Sequence, residues 1–87
     1  MSLSEDIQSA MKSKDAVVGY RESVKILKAG EAKVVIIADN IPERMSAEMK
    51  HNAKVANARL EVFDGSSKDL GTACGKPFPV AAMVIKG

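Results

Sequence analysis

Arg21, Lys25 and Lys28 stand four and three residues apart, the spacing that lines side chains along one face of a helix. A row of cations so placed can follow a phosphate backbone. Gly19 lies just ahead of them, where a missing Cβ lets the main chain approach a phosphate and the following helix start offers free N–H groups. The same residues also read as a solvated basic face after a tight strand–helix turn. Asn40 precedes Ile41-Pro42. Its amide carries the donor and acceptor that suit base edges, and it suits equally well the N-cap of a helix opened by proline. In Gly75-Lys76-Pro77-Phe78-Pro79-Val80 two prolines stiffen a loop around a phenylalanine. A rigid loop lowers the ordering cost of binding, and an exposed ring can receive an unstacked base. Folded back, the ring would simply join the core.

Catalytic patterns are poor. His51 lies in Met49-Lys50-His51-Asn52 with no second His or Cys at metal-ligand spacing, and reads as a surface helix residue. Cys74 falls on an apolar helical face beside glycines and has no base near it in sequence, so it reads as a buried structural thiol. Neither GxxxxGK[ST] nor GxGxxG occurs. Gly71-Thr72-Ala73-Cys74-Gly75 reads as a closely packed helix end rather than an anion loop. An enzyme, a resident metal and a cofactor are therefore not expected.

These residues need elements to position them. The 87 residues allow one domain with one core, spanning 1–87. A composition of 46% hydrophobic and 28% charged residues argues against disorder. Aromatics make up only 3%, which leaves Val, Ile, Leu, Met and Ala to fill the core. The net charge is +2, and the excess is concentrated in 19–33, where Arg21, Lys25, Lys28 and Lys33 face Glu22 and Glu31. A lone cysteine points to a reducing, intracellular compartment. No apolar run is long enough to cross a membrane, and Glu5 and Asp6 sit where a signal peptide would be basic.

The periodicity predicts helices over about 4–13, with Leu3, Ile7, Ala10 and Met11 inward, and over about 21–30, with Val24 and Leu27 inward beside Tyr20. A third helix runs from Pro42 to about Asn57 on a Met45, Met49, Ala53 and Ala56 stripe, and a fourth from about Ser67 to Cys74. Ser2 with Glu5, and Ser66 with Asp69, have capping-box spacing. Strands are expected at Ala16–Gly19, Val34–Ala38, Leu60–Phe63 and Val80–Ile85. The first two, joined by a helix, read as a βαβ unit with a parallel sheet. Strands without a polar face need helices on both sides. The expected fold is therefore α/β, a three-layer α/β/α sandwich with a four-stranded mixed sheet.

Taken together, several blocks resemble the L-thirty-e family of large-subunit ribosomal proteins of archaea and eukaryotes, relatives of the L-seven-Ae kink-turn binders. They are Val18-Gly19-Tyr20-Arg21-Glu22-Ser23-Val24-Lys25, Gly30-Glu31-Ala32-Lys33 with the strand after it, Asn40-Ile41-Pro42, and Leu70-Gly71-Thr72-Ala73-Cys74-Gly75-Lys76. The last is the most specific. Where the L-seven-Ae branch usually has Asn, this chain has Arg21, which favours the L-thirty-e branch. The chain also lacks the short tail common in the family after the last strand.

The resemblance implies a non-catalytic protein of the cytoplasmic ribosome that binds kink-turn RNA and is monomeric when free. Gly19 and Arg21 would sit at the bend of the RNA. Glu22 would accept from guanine, Lys25 would neutralise backbone charge, Asn40 would touch the sheared G·A pairs, and Phe78 and Val80 would pack on an extruded base; Lys28 is expected at the RNA backbone from the spacing of the basic face alone. The rival reading is a protein-interaction or scaffold module on the same fold.

Overall fold

The computed structural model describes residues 3–86, arranged as α1 (Leu3–Ser13), β1 (Ala16–Val18), α2 (Tyr20–Lys28), β2 (Ala32–Ile37), α3 (Glu43–Val55), β3 (Arg59–Val62), α4 (Ser67–Ala73) and β4 (Ala82–Lys86). The Ser2–Glu5 capping box and the side chain of Leu3 lie outside the described residues. Among those described, no helix is long and apolar enough to cross a membrane.

The strands form one mixed sheet in the order β1-β4-β2-β3. This corrects the expected parallel pairing of the first two strands. β1 and β2 do run in the same direction, but β4 lies between them and pairs antiparallel with both. Only β2 and β3 pair in parallel. The interior place suits β4, whose Ala82, Met83 and Val84 are fully enclosed with a strand on either side and helices on both faces.

Side chains alternate across the sheet. Ile36 and Met83 join Ile7, Leu70 and Cys74 on the face covered by α1 and α4. Val35, Ile37 and Val84 join Leu27, Met49 and Ala53 on the face covered by α2 and α3. Two separate apolar clusters, one on each face, make the three layers that the unbroken apolar strands required. β3 is an edge, and its Arg59 and Glu61 lie opposite Val34 and Ile36 of β2. Charged residues on an exposed edge discourage pairing with another chain.

α4 is built as its sequence indicates. Ser66 and Asp69 form the reciprocal capping box. At the other end the Gly75 and Lys76 N–H groups donate to the Thr72 and Gly71 carbonyls, at 3.0 and 2.9 Å, a Schellman ending. The last strand starts later than expected: Val80 and Ala81 belong to the preceding loop.

Candidate functional site

Backbone hydrogen bonds gather the candidate residues at one edge of the sheet. β1 and β2 end there, and β4, running the other way, begins there. The Gly19 N–H donates to the Ala82 carbonyl at 2.9 Å and the Ala38 N–H to the Ala81 carbonyl at 3.0 Å. The ends of β1 and β2 are thus pinned to consecutive residues immediately after Phe78-Pro79-Val80. With β4 between them, they lie about 10 Å apart.

Gly19 is the N-cap of α2, with φ of +114° and no side chain to cap the helix. That dihedral favours glycine. A Cβ here would meet nothing within 4 Å, so the space beside the main chain is open. The Gly19 carbonyl accepts from the Ser23 N–H at 3.0 Å and from the Ser23 hydroxyl at 2.6 Å, which satisfies the buried Ser23.

Arg21, Glu22, Lys25 and Lys28 are all exposed. Glu22 and Lys25 form an ion pair at 3.6 Å. An exposed pair of this kind contributes at most about 1 kcal/mol, so either partner can be recruited elsewhere. Arg21 stands on the first turn of α2, whereas Lys28 is on the last, about 10 Å farther along the axis.

Asn40 is exposed, but it does not cap α3. Pro42 holds that position, with no side-chain hydrogen bond. Instead Asn40 Oδ1 accepts from the Ser67 N–H at 2.8 Å, at the start of α4. The Ser67 carbonyl in turn accepts from the Val80 N–H at 2.9 Å. One residue therefore ties the end of β2 to the loop before β4.

Phe78 remains 52% exposed rather than folding back. It borders a shallow hollow of about 240 Å³ also lined by Lys68, Thr72, Lys76, Pro77 and Pro79. A Cβ on Gly71 would collide with the Phe78 carbonyl, so the close approach of loop and helix depends on that glycine. Val80 does not share the exposure of Phe78. At 1% exposed it packs with Ile36, Leu70 and Met83, which corrects its expected contact with a base. It anchors the loop from beneath. Ser67 and the flanking Lys68, Thr72 and Lys76 were missed by sequence reasoning. The one available signal was their four-residue spacing from 68 to 76 beside the capping box.

The remaining reactive groups stand apart from this edge. Cys74 is buried, with its Sγ 3.3 Å from Met83 Sδ. Burial pushes its thiol up, against a smaller downward pull from the Lys76 ammonium, so little thiolate is available. His51 is exposed on α3. No group of three potential metal ligands occurs among the described residues.

A mixed sheet with helices on both faces, presenting an open basic edge and an exposed ring, defines an α/β/α module that offers a surface rather than a deep pocket. The chain belongs to the Ribosomal protein L7Ae/L30e/S12e/Gadd45 family, whose profile matches residues 1–87. The large ribosomal subunit protein eL30 of Methanocaldococcus jannaschii is 35% identical over 85 residues, covering 98% of this chain and 77% of the relative. The eL30 of Branchiostoma belcheri is 38% identical over 84 residues, covering 97% and 74%. The Giardia lamblia 15.5kD RNA binding protein superposes with a TM-score of 0.88 at 22% identity, over 98% of this chain and 71% of that one. A Bacillus halodurans C protein with unknown function superposes at 0.83 and 18% identity, over 93% and 80%. These two show the shared fold. The relatives are ribosomal structural proteins, and this chain is a non-enzymatic member of their family.

Proposed function

We propose that this protein is an RNA-binding component of the large ribosomal subunit that recognises kink-turn RNA, with the cytoplasmic ribosome as its place of action. One observation carries the reading. Gly19, Asn40 and the Phe78 loop are fastened to one edge of the sheet through Ala81, Ala82 and Ser67, while their outward groups stay uncommitted. The names of the eL30 relatives support the ribosomal part, and that of the Giardia neighbour supports RNA as partner.

In this reading the open backbone at Gly19 and the uncapped start of α2 meet phosphates at the bend. Arg21 and Lys25 neutralise them, and Lys28 reaches a more distant phosphate. Glu22 accepts from a guanine amino group once its weak pairing with Lys25 is exchanged. Asn40 touches the sheared G·A pairs, and Phe78 stacks on an extruded base. Val80 supports that loop without touching RNA.

The test is a titration at matched salt with two hairpins, one carrying a kink-turn and the other with its sheared G·A pairs replaced by Watson–Crick pairs. A preference of about tenfold or more for the kinked hairpin is expected, since base-edge contacts discriminate on that scale. Equal, weak binding to both would overturn the reading and favour a protein-interaction module.

A further inference from the structure

A groove of about 410 Å³ opens between α1 and β3, at the end of the sheet opposite the Gly19–Asn40 edge. Asp6, Ser9, Ala10 and Ser13 line it from one face of α1, along about 10 Å of the helix. Ala10, Val34 and Ile85 give it an apolar floor continuous with the core. Its charges are sorted by wall. Asp6, and Asp15 just beyond the helix, stand on the α1 side, whereas Lys33 and Arg59 stand on the sheet side. Among the described residues no ion pair joins the two walls, and Arg59 is held instead by Glu61 of its own strand at 2.6 Å. Lys33 owes its place to a bulge. Ala32 pairs with Lys86 and Val34 with Ile85, so Lys33 is an extra residue with no partner on β4. A bulge turns a side chain out of the regular alternation of its strand.

We propose that this groove docks an extended segment of a partner protein that carries a basic, an apolar and an acidic residue at alternate positions, Lys-x-Leu-x-Glu in type. Every second side chain of a strand points to the same side. Lying across the groove, such a segment sets its cation against Asp6 and Asp15, its apolar side chain on the floor, and its carboxylate against Lys33 and Arg59. A free zwitterion gains little here, because exposed ion pairs contribute little one by one. A segment already held extended by a folded partner avoids the ordering cost and adds the apolar contact. Nothing in this docking depends on RNA binding. Lys33 and Ala38 are five residues apart in the sequence, roughly 16 Å along the direction of β2. RNA at the far edge therefore leaves the groove open.

The test uses two blocked pentapeptides of identical composition, Lys-Ser-Leu-Ser-Glu and Lys-Glu-Ser-Leu-Ser, titrated into the isotope-labelled protein and followed by amide shifts. The first places its charges on either side of leucine on one face; the second sets them side by side on opposite faces. The first peptide should bind at least about threefold more tightly, with shifts centred on Asp6, Lys33 and Arg59, on the scale of one exposed ion pair. Asp6→Asn and Lys33→Gln, both at exposed positions, should each weaken it by about twofold to fivefold. Lys50→Gln, exposed on α3 across the sheet, should leave it unchanged. Binding should persist with the kink-turn hairpin present. Equal binding of the two peptides, unchanged affinity in D6N and K33Q, or an equal loss in K50Q would each overturn the proposal. Displacement of the peptide by the hairpin would assign the groove to RNA and overturn it as well. None of these results alters the preference for kinked over Watson–Crick RNA, which is read from the hairpins alone.

Discussion

The hollow beside Phe78 and the groove between α1 and β3 use their charges differently. The groove is the larger, at about 410 Å³ against about 240 Å³. Its lining sets Asp6, Asp15 and Glu61 against Lys33, Arg59 and Lys86, three of each sign. Two of these neutralise each other directly, with Arg59 Nε donating to Glu61 Oε1 at 2.6 Å, and Ser13 Oγ donates to Asp15 at 2.8 Å. The hollow is lined by Lys68 and Lys76 with no acid, and the exposed Phe78 ring forms one wall. For a polyanionic partner, volume is thus a poor guide. Unmatched cations and an exposed ring, held on a backbone fixed by cross-loop hydrogen bonds, make the better surface.

The strongest challenge to this contrast is Gly71→Ala. The new methyl would strike the Phe78 carbonyl, a backbone atom that must shift with its whole loop. A stability loss of about 2–4 kcal/mol is expected in urea denaturation, together with loss of RNA preference. A fully stable G71A would mean that the loop is not seated on α4.

Asn40→Ala should weaken binding to the kinked hairpin by about 1–3 kcal/mol. Glu61→Ala in the groove should change affinity less than about twofold, because no base or phosphate contact is assigned there. Similar effects from both variants in parallel titrations would erase the distinction between the two regions. Lys28→Ala is a finer probe. It should weaken binding to all RNAs alike and flatten the salt slope by about one unit, measured over a series of salt concentrations. An unchanged slope would reassign Lys28 to a merely solvated face.

The smallest effect is expected at Tyr20, next to Gly19. Its hydroxyl is buried and unpartnered, close to the Glu48 carboxylate without a hydrogen bond of normal geometry. Burial first, and Glu48 second, raise its pKa above the ordinary 10.0. The fold therefore disfavours the phenolate: this share of stability is complete below the unfolded pKa and is lost as pH rises through the folded one. Tyr20→Phe should remove that alkaline loss and change stability at neutral pH by less than about 1 kcal/mol. Denaturation curves on both sides of about pH 10 would check it.

Local chemistry was the legible part of this chain. The Ser66–Asp69 capping box, the packed helix end at Gly71–Gly75 and the two-faced burial of Val35–Ile37 all follow from spacing and side-chain type. Non-local pairing was not. Nothing in Ala16–Val18 or Ala32–Ile37 indicates that β4 will insert between them, because that choice depends on a strand more than forty residues downstream. Asn40 shows the same limit, since a cap was legible as a type of contact but its partner lies on another helix. Val80 was expected to open the last strand and, through the family resemblance, to pack on a base, yet it lies in the preceding loop, its N–H bonded to Ser67 and its side chain turned into the core.

The most direct test of the central claim is an amide-shift titration by NMR of the labelled protein with the kink-turn hairpin. The account predicts that shifts concentrate at Gly19, Arg21, Asn40, Ser67 and Phe78, while Asp6, Asp15, Arg59 and Glu61 stay still. Shifts centred on the α1–β3 groove, with the Gly19–Asn40 edge unmoved, would contradict it.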